Sequence, residues 1–155
     1  MTNTNIIEFD SILMDFKSAN IKETFSKLSA HIHRIIGTSE KTILNHLLAL
    51  EKEQGSGIGK GVAIPHMRLP RLTRPLTVFA KLSSSVDFEA ADGEPVDMVC
   101  LILSPEYEGP KHLQRLSMVT RFMNDTDTLK KLRSCEDKDD VRMVLKQKNN
   151  MRAAA

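Results

Sequence analysis

His66 stands apart from the other four histidines because it ends the segment Gly55-Ser56-Gly57-Ile58-Gly59-Lys60-Gly61-Val62-Ala63-Ile64-Pro65-His66. An imidazole with a reference pKa of about 6.5 is largely neutral at pH 7, so one of its nitrogens can act as a nucleophile. Pro65 restrains the backbone that presents the ring. Four of the seven glycines fall at positions 55, 57, 59 and 61. Glycine reaches positive φ without a Cβ penalty and lets other groups approach the backbone, so the run marks a sterically special turn. On spacing alone, a histidine that merely closes this turn is the commoner reading. The same holds for His112, which as a solvated residue opening a helix would have no special role.

Two nucleotide-binding readings of the glycines fail. A P-loop requires G-x-x-x-x-G-K-[ST], but Gly59-Lys60 is followed by Gly61, and Gln54 occupies the place of the first glycine. A G-x-G-x-x-G fingerprint would need glycine at Lys60 or at Val62, and a strand rather than a helix before it. No metal set emerges either. His31 and His33 are two apart on an expected helix and point to different faces, and His46 lies within another helical stripe.

The elements that must position His66 are legible as periodicities. Ile21, Phe25, Leu28, Ile32, Ile35 and Ile36 recur at helical spacing before Gly37. Thr38 or Ser39 can cap a second helix carrying Ile43, Leu44, Leu47 and Leu48. Val62 to Ile64 reads as a short strand, Leu76 to Leu82 as a longer one, and Val96 to Leu103 as a buried central strand; Val86 to Phe88 can add a further short one. Helices are expected from about Lys111 to Met123, around Leu129 and Leu132 after a cap at Asn124-Asp125, and from about Asp137 to Lys146. Strands flanked in sequence by helices predict an α/β fold, a mixed sheet sandwiched between helices in a single domain.

A chain of 155 residues is long enough for one domain that buries roughly 68–70% of its unfolded surface. The domain is expected to span residues 6–148, with residues 1–5 and 149–155 as mobile termini. A formal charge of +2 gives no reason to expect nucleic acid as a partner. The absence of an apolar leader and of any apolar run near ~18 residues predicts a cytoplasmic protein without membrane insertion. Cys100 and Cys135 belong to no C-x-x-C pair and are expected to be reduced.

Ser56 to His66 as a whole resembles the signature of the mannitol/fructose-type enzyme IIA domains of the bacterial phosphoenolpyruvate-dependent phosphotransferase system, and the resemblance extends from about Ile12 to Leu145. Ile12-Leu13-Met14-Asp15-Phe16 with Lys22-Glu23 is similar to the family's opening. Asp87-Phe88 through Asp92-Gly93-Glu94-Pro95-Val96-Asp97 is similar to its central stretch, and His112-Leu113-x-x-Leu116 to its second histidine motif. As a separate unit the chain most resembles the nitrogen-related enzyme IIA. The resemblance implies that His66 accepts a phosphoryl group from an HPr-type phosphocarrier and that His112 orients or stabilises it. Ser56 and the amides of Gly57, Gly59 and Gly61 would then supply hydrogen bonds to phosphate, and no metal or other cofactor is needed.

One departure bears on the chemistry. The family commonly carries an Arg-Glu pair six residues before the signature threonine, which is Ser56 here, and the corresponding residues are Leu50-Glu51. A guanidinium can bind phosphate bidentately and a leucine cannot. Lys52, Lys60, Arg68, Arg71 and Arg74 are the cations that could compensate. With no enzyme IIB segment and no membrane span, a regulatory output through target proteins is expected. A binding module with weak transfer, and a sugar-specific enzyme IIA serving a separate enzyme IIB, are the alternatives.

Overall fold

The computed structural model describes residues 6–154, and side chains through Met151; the expected mobility of residues 1–5 lies outside the described residues. The elements in chain order are β1 (Ser11–Phe16), α1 (Ile21–Ile36), α2 (Glu40–Gln54), β2 (Gly57–Gly59), β3 (Val62–Ala63), β4 (His66–Leu69), β5 (Leu76–Val86), β6 (Val96–Pro105), α3 (Lys111–Phe122), α4 (Thr126–Ser134) and α5 (Lys138–Ala154).

The apolar run at 96–105 is central, as its composition predicts. β6 pairs antiparallel with β5 along one edge, and β5 pairs parallel with β1. Along its other edge β6 pairs parallel with β3 and then with β4, while β2 folds back antiparallel on β3. β3 and β4 therefore form one edge line, interrupted at Ile64-Pro65. Proline has no N–H to give a ladder, but the Pro65 carbonyl accepts from Ile102 N at 3.0 Å, so the line resumes in register.

Side chains on β6 alternate between two apolar layers, as the two-residue period of a strand requires. Val99, Leu101 and Leu103 face α1 and α2 with Phe25, Leu28, Ile32, Ile43 and Leu47. Met98, Cys100 and Ile102 face α3 to α5 with Val119, Phe122, Leu132 and Val141. Each fully buried Leu, Ile or Phe contributes roughly 1.5–3 kcal/mol relative to exposure, and this two-sided burial makes the sandwich.

Local signals bound α1 and α4. Asn20 Oδ1 accepts from Glu23 N at 2.8 Å at the start of α1, and Gly37, with φ of 80°, ends it. Asp125 accepts from Thr128 N at 3.0 Å and so caps α4. The sequence pattern did not reveal β1, whose residues Leu13, Met14 and Phe16 are only partly buried. The short strand expected at 86–88 is instead the end of β5, which stops at Val86.

The chain beyond Lys146, expected to carry no packing pattern, continues α5 to Ala154. Asn149, placed by that expectation in a mobile terminus, is half-buried and bonds both ways to Ile7. Its Oδ1 accepts from Ile7 N at 2.9 Å, and its Nδ2 donates to Ile7 O at 2.9 Å. A side-chain amide offers one acceptor and two donors and can thus extend a strand-like pairing that no apolar pattern announces. Replacing Asn149 with Ala is expected to cost about 1–2 kcal/mol, the worth of two partly exposed hydrogen bonds. An unchanged urea midpoint in Asn149→Ala would show that the clasp contributes nothing.

Candidate active site

His66 opens β4, opposite Ile102 of β6. Because Met67 and Leu69 take the face towards α1 and α2, His66 and Arg68 take the other, towards α3. α3 begins beside them. Pro110 at its N-cap gives no side-chain cap, and Gln114 N is the first amide to bond back, to Pro110 O at 3.1 Å. The amides of Lys111, His112 and Leu113 therefore lack intrahelical partners, and the end of the helix carries a partial positive charge.

The register brings the two sequence-predicted histidines together. His66 Nδ1 lies 3.1 Å from His112 Nε2, a hydrogen bond between rings tilted by 41° with centroids 5.2 Å apart. His112 is buried, and its Nδ1 lies 2.6 Å from Ser104 Oγ. Ser104 accepts from Arg115 Nη1 at 2.7 Å, and Arg115 forms a two-pronged pair with Glu108 at 2.9 and 3.1 Å. Arg68, on the face of His66, donates to Gly109 O at 3.3 Å and leaves a cation beside the pair.

Both rings are held neutral. Burial lowers the pKa of His66. Burial also lowers that of His112, to about 4, helped by the charges of His66, Arg68 and Arg115, with Glu108 opposing. A neutral imidazole pair with one ring nitrogen of His66 left free can attack an electrophile and hold the product by hydrogen bonding.

The glycine segment does not surround the histidines. Lys60 and Gly61, with φ of 58° and 80°, form the two-residue turn of a hairpin between β2 and β3, and positive φ at both central positions is the type I′ geometry that matches strand twist. Gly61 O accepts from Asp97 N and Met98 N, at the start of β6. His66 is level with Ile102, four residues further along that strand, about 13 Å away at ~3.3 Å per residue. Of the glycines expected among the phosphate ligands, Gly61 thus lies in the hairpin turn and Gly59 at the end of β2. A Cβ on Gly61 would lie 2.5 Å from Arg133 Nη2, and one on Gly59 would lie 3.1 Å from Asp92 Oδ2. Gly57 pairs with Ala63 and packs against Ala90 and Phe88.

Ser56 is nearer the site in register, since its carbonyl accepts from Ile64 N at 2.8 Å. Its polar atoms are already engaged by Glu51, whose Oε2 accepts from Ser56 N at 2.9 Å and whose Oε1 accepts from Ser56 Oγ at 2.5 Å. The hydroxyl proton expected to serve phosphate thus serves a carboxylate. Leu50 packs against the apolar layer under α1 and α2. Lys60 Nζ donates to Asn124 O at 2.9 Å, at the far end of the sheet, and Arg74 reaches Asp10 at 3.6 Å, whereas Arg68 shares the face of His66.

Sequence reasoning missed Ser104, Arg115 and Glu108. Arg115 follows His112 by three residues and so shares its helix face, a signal that was readable. The approach of Ser104 depends on strand register, and that of Glu108 on the loop before α3. Among the described residues no cluster of His, Cys, Asp or Glu could hold a metal ion, and no helix is long and apolar enough to cross a membrane.

A sandwiched mixed sheet presents paired neutral histidines, one from a strand and one from the start of a helix, an arrangement whose chemistry suits group transfer. The chain belongs to the family described as phosphoenolpyruvate-dependent sugar phosphotransferase system, EIIA 2, whose model matches residues 5–148. Members are phosphotransfer proteins, and this chain shares that broad class of activity. It is 37% identical over 145 residues to a nitrogen regulatory protein of Bradyrhizobium diazoefficiens, covering 94% of this chain and 95% of that protein. Among solved structures it is similar to nitrogen regulatory protein IIA-Ntr from Neisseria meningitidis, with a TM-score of 0.81 and 27% identity over 87% of this chain and 92% of the other. The fold alone is shared with IIA mannitol from Escherichia coli, at a TM-score of 0.71 and 21% identity over 86% and 94% of the two chains.

The lowered pKa values set a pH dependence of stability. The folded state resists protonating His112 down to about 4, whereas an unfolded histidine protonates near its ordinary value of 6.5. The unfolded state therefore binds more protons between those limits, and stability falls as pH drops through that window, then levels off for this group below about 4. In urea titrations from pH 7 to 4, His112→Gln is expected to show a shallower loss than the unaltered chain. Parallel curves would refute a neutral, buried His112.

Proposed function

We propose that the protein is a phosphohistidine carrier that accepts a phosphoryl group on His66 from an HPr-type phosphocarrier and acts mainly as a regulatory, nitrogen-related enzyme IIA. The observation that carries this reading is the 3.1 Å hydrogen bond between His66 Nδ1 and His112 Nε2. It occupies Nδ1 of His66 and leaves Nε2 as the nitrogen that bonds to phosphorus once its proton has departed.

The chemistry follows from charge and position. Transfer of a phosphoryl group is catalysed chiefly by orienting the nucleophile and stabilising the equatorial oxygens. His112 orients the His66 ring, while the unpaired amides at the start of α3 and the Arg68 guanidinium place positive charge where those oxygens come to rest. Arg68 takes the part for which Leu50 has no charge. Ser56 and Gly57 act through shape, by fixing the strand that leads to His66.

A regulatory output is favoured by the likeness to proteins named for nitrogen regulation. A phosphoryl dianion on His66 would alter which target surfaces can dock around it. The sugar-specific alternative has support in the 36% identity to the fructose-specific EIIA component of Haloferax volcanii over 66% of each chain, and it requires a separate enzyme IIB as partner. A complex of that kind is known for enzyme IIA mannitol of Escherichia coli with its phosphorylated enzyme IIB.

The test is incubation of the purified chain with phosphoenolpyruvate, enzyme I and an HPr-type carrier, followed by assay of acid-labile phosphate. His66→Ala is expected to take up none; label that persists in it would overturn the assignment. His112→Ala is expected to retain the fold and to accept phosphate about tenfold more slowly, the effect of losing one interaction worth ~1.4 kcal/mol. An unaltered rate in His112→Ala would remove its role.

A further inference from the structure

We propose that Ser104, held by the Arg115–Glu108 pair, is a positioning residue that fixes His112 with its proton on Nε2, aimed at His66 Nδ1, and thereby sets the lifetime of a phosphoryl group on His66. The inference rests on the phosphohistidine reading above for its consequence, though not for its geometry.

The assignment follows from counting donors. Arg115 has only N–H groups to offer, so at 2.7 Å the Ser104 oxygen must accept from it. Ser104 is fully buried, and among the described residues the only other group bonded to its hydroxyl is His112 Nδ1 at 2.6 Å. A buried hydroxyl proton left unpaired costs about 1–3 kcal/mol. The adjacent guanidinium also makes the oxygen a poorer acceptor and its O–H a better donor. The Ser104 hydroxyl therefore donates to His112 Nδ1, the proton of neutral His112 resides on Nε2, and that N–H donates to His66 Nδ1 at 3.1 Å. Glu108 completes the array by holding Arg115 through both carboxylate oxygens.

The array has one direction, from Arg115 through Ser104 and His112 to His66, and it matches the phosphorylated state. In the resting protein His66 keeps its proton on Nε2. In transfer from a phosphohistidine donor, the donor's P–N bond breaks and a P–Nε2 bond forms, and the proton that leaves Nε2 passes through solvent to the nitrogen vacated on the donor. Phosphoryl and proton thus change places, and no charge accumulates on His112. In the product, His66 Nδ1 already accepts a hydrogen bond, which opposes the protonation that would make the ring a better leaving group towards water. The proton must leave Nε2 before attack, a cost to loading that is outweighed by the orientation His112 gives the ring, so the same hydrogen bond serves both loading and the lifetime of the product.

Two measurements test this. Imidazole nitrogen NMR of the unaltered chain is expected to show His112 Nε2 as the protonated, pyrrole-type nitrogen and Nδ1 as the bare, pyridine-type one; the reverse pattern overturns the proposal. With His66 loaded chemically by phosphoramidate, Ser104→Ala is expected to lose phosphate several-fold faster between pH 5 and 7 without slower loading, and Ser104→Thr is expected to restore the lifetime. An unchanged lifetime in Ser104→Ala, or slower loading with no change in lifetime, overturns it. If HPr-type carriers fail to load the chain while phosphoramidate succeeds, the donor assignment falls and the role of Ser104 is still decided. If neither loads His66, the carrier reading fails, and the NMR pattern alone decides the tautomer.

Discussion

The parallel pairing of one interrupted edge line with β6 is the constraint on which the rest depends. β3 and β4 meet β6 at Val62–Met98 and His66–Ile102, and the step over Ile64-Pro65 keeps that register. A slip by one residue would turn His66 into the apolar layer beneath α1 and α2 and present Met67 to α3. The two packed layers forbid this, since each needs its own alternate set of β6 side chains. The orientation of His66 is thus enforced by burial across the whole sandwich rather than by contacts at the site.

Charge is arranged around that geometry in a graded way. The two imidazoles are neutral because burial disfavours a positive charge on both, and at His112 the neighbouring Arg68 and Arg115 add to it. The cations themselves are either compensated, as Arg115 is by Glu108, or left at the mouth, as Arg68 is. On the proposed reading, an incoming dianion would meet partial charges of helix amides and one guanidinium already in place, so little reorganisation would accompany its arrival.

Helix boundaries were legible where they carry local signals: Gly37 ends α1, Ser39 caps α2, and Asp125 opens α4. The central strand was legible from its unbroken apolar run, and the histidine pair from a family signature rather than from spacing. β1 and β4 were hidden because short or half-exposed strands lack a period strong enough to see. The glycines misled for a physical reason. Positive φ serves a hairpin turn as well as a phosphate cradle, and only the bonds of the intervening Lys60, whose N–H donates to Asp92 and whose carbonyl accepts from Arg133, separate the two. Ser104 could not be found because a serine ending a strand has no role until the register sets it under His112.

The clasp between Asn149 and Ile7 joins residues 142 positions apart. Closing so large a loop demands more chain entropy than closing the local pairs of the sheet, although the demand grows only slowly with length. Such a contact is worth its cost only after the layers between are assembled, so it belongs among the last to form and the first to open. The amide of Ile7 should then exchange with solvent through a local fluctuation, while those of β6 wait for global unfolding. The molecule thereby has a soft seam on the α3–α5 side of the sheet, and motion there can proceed without disturbing the strand register that aims His66.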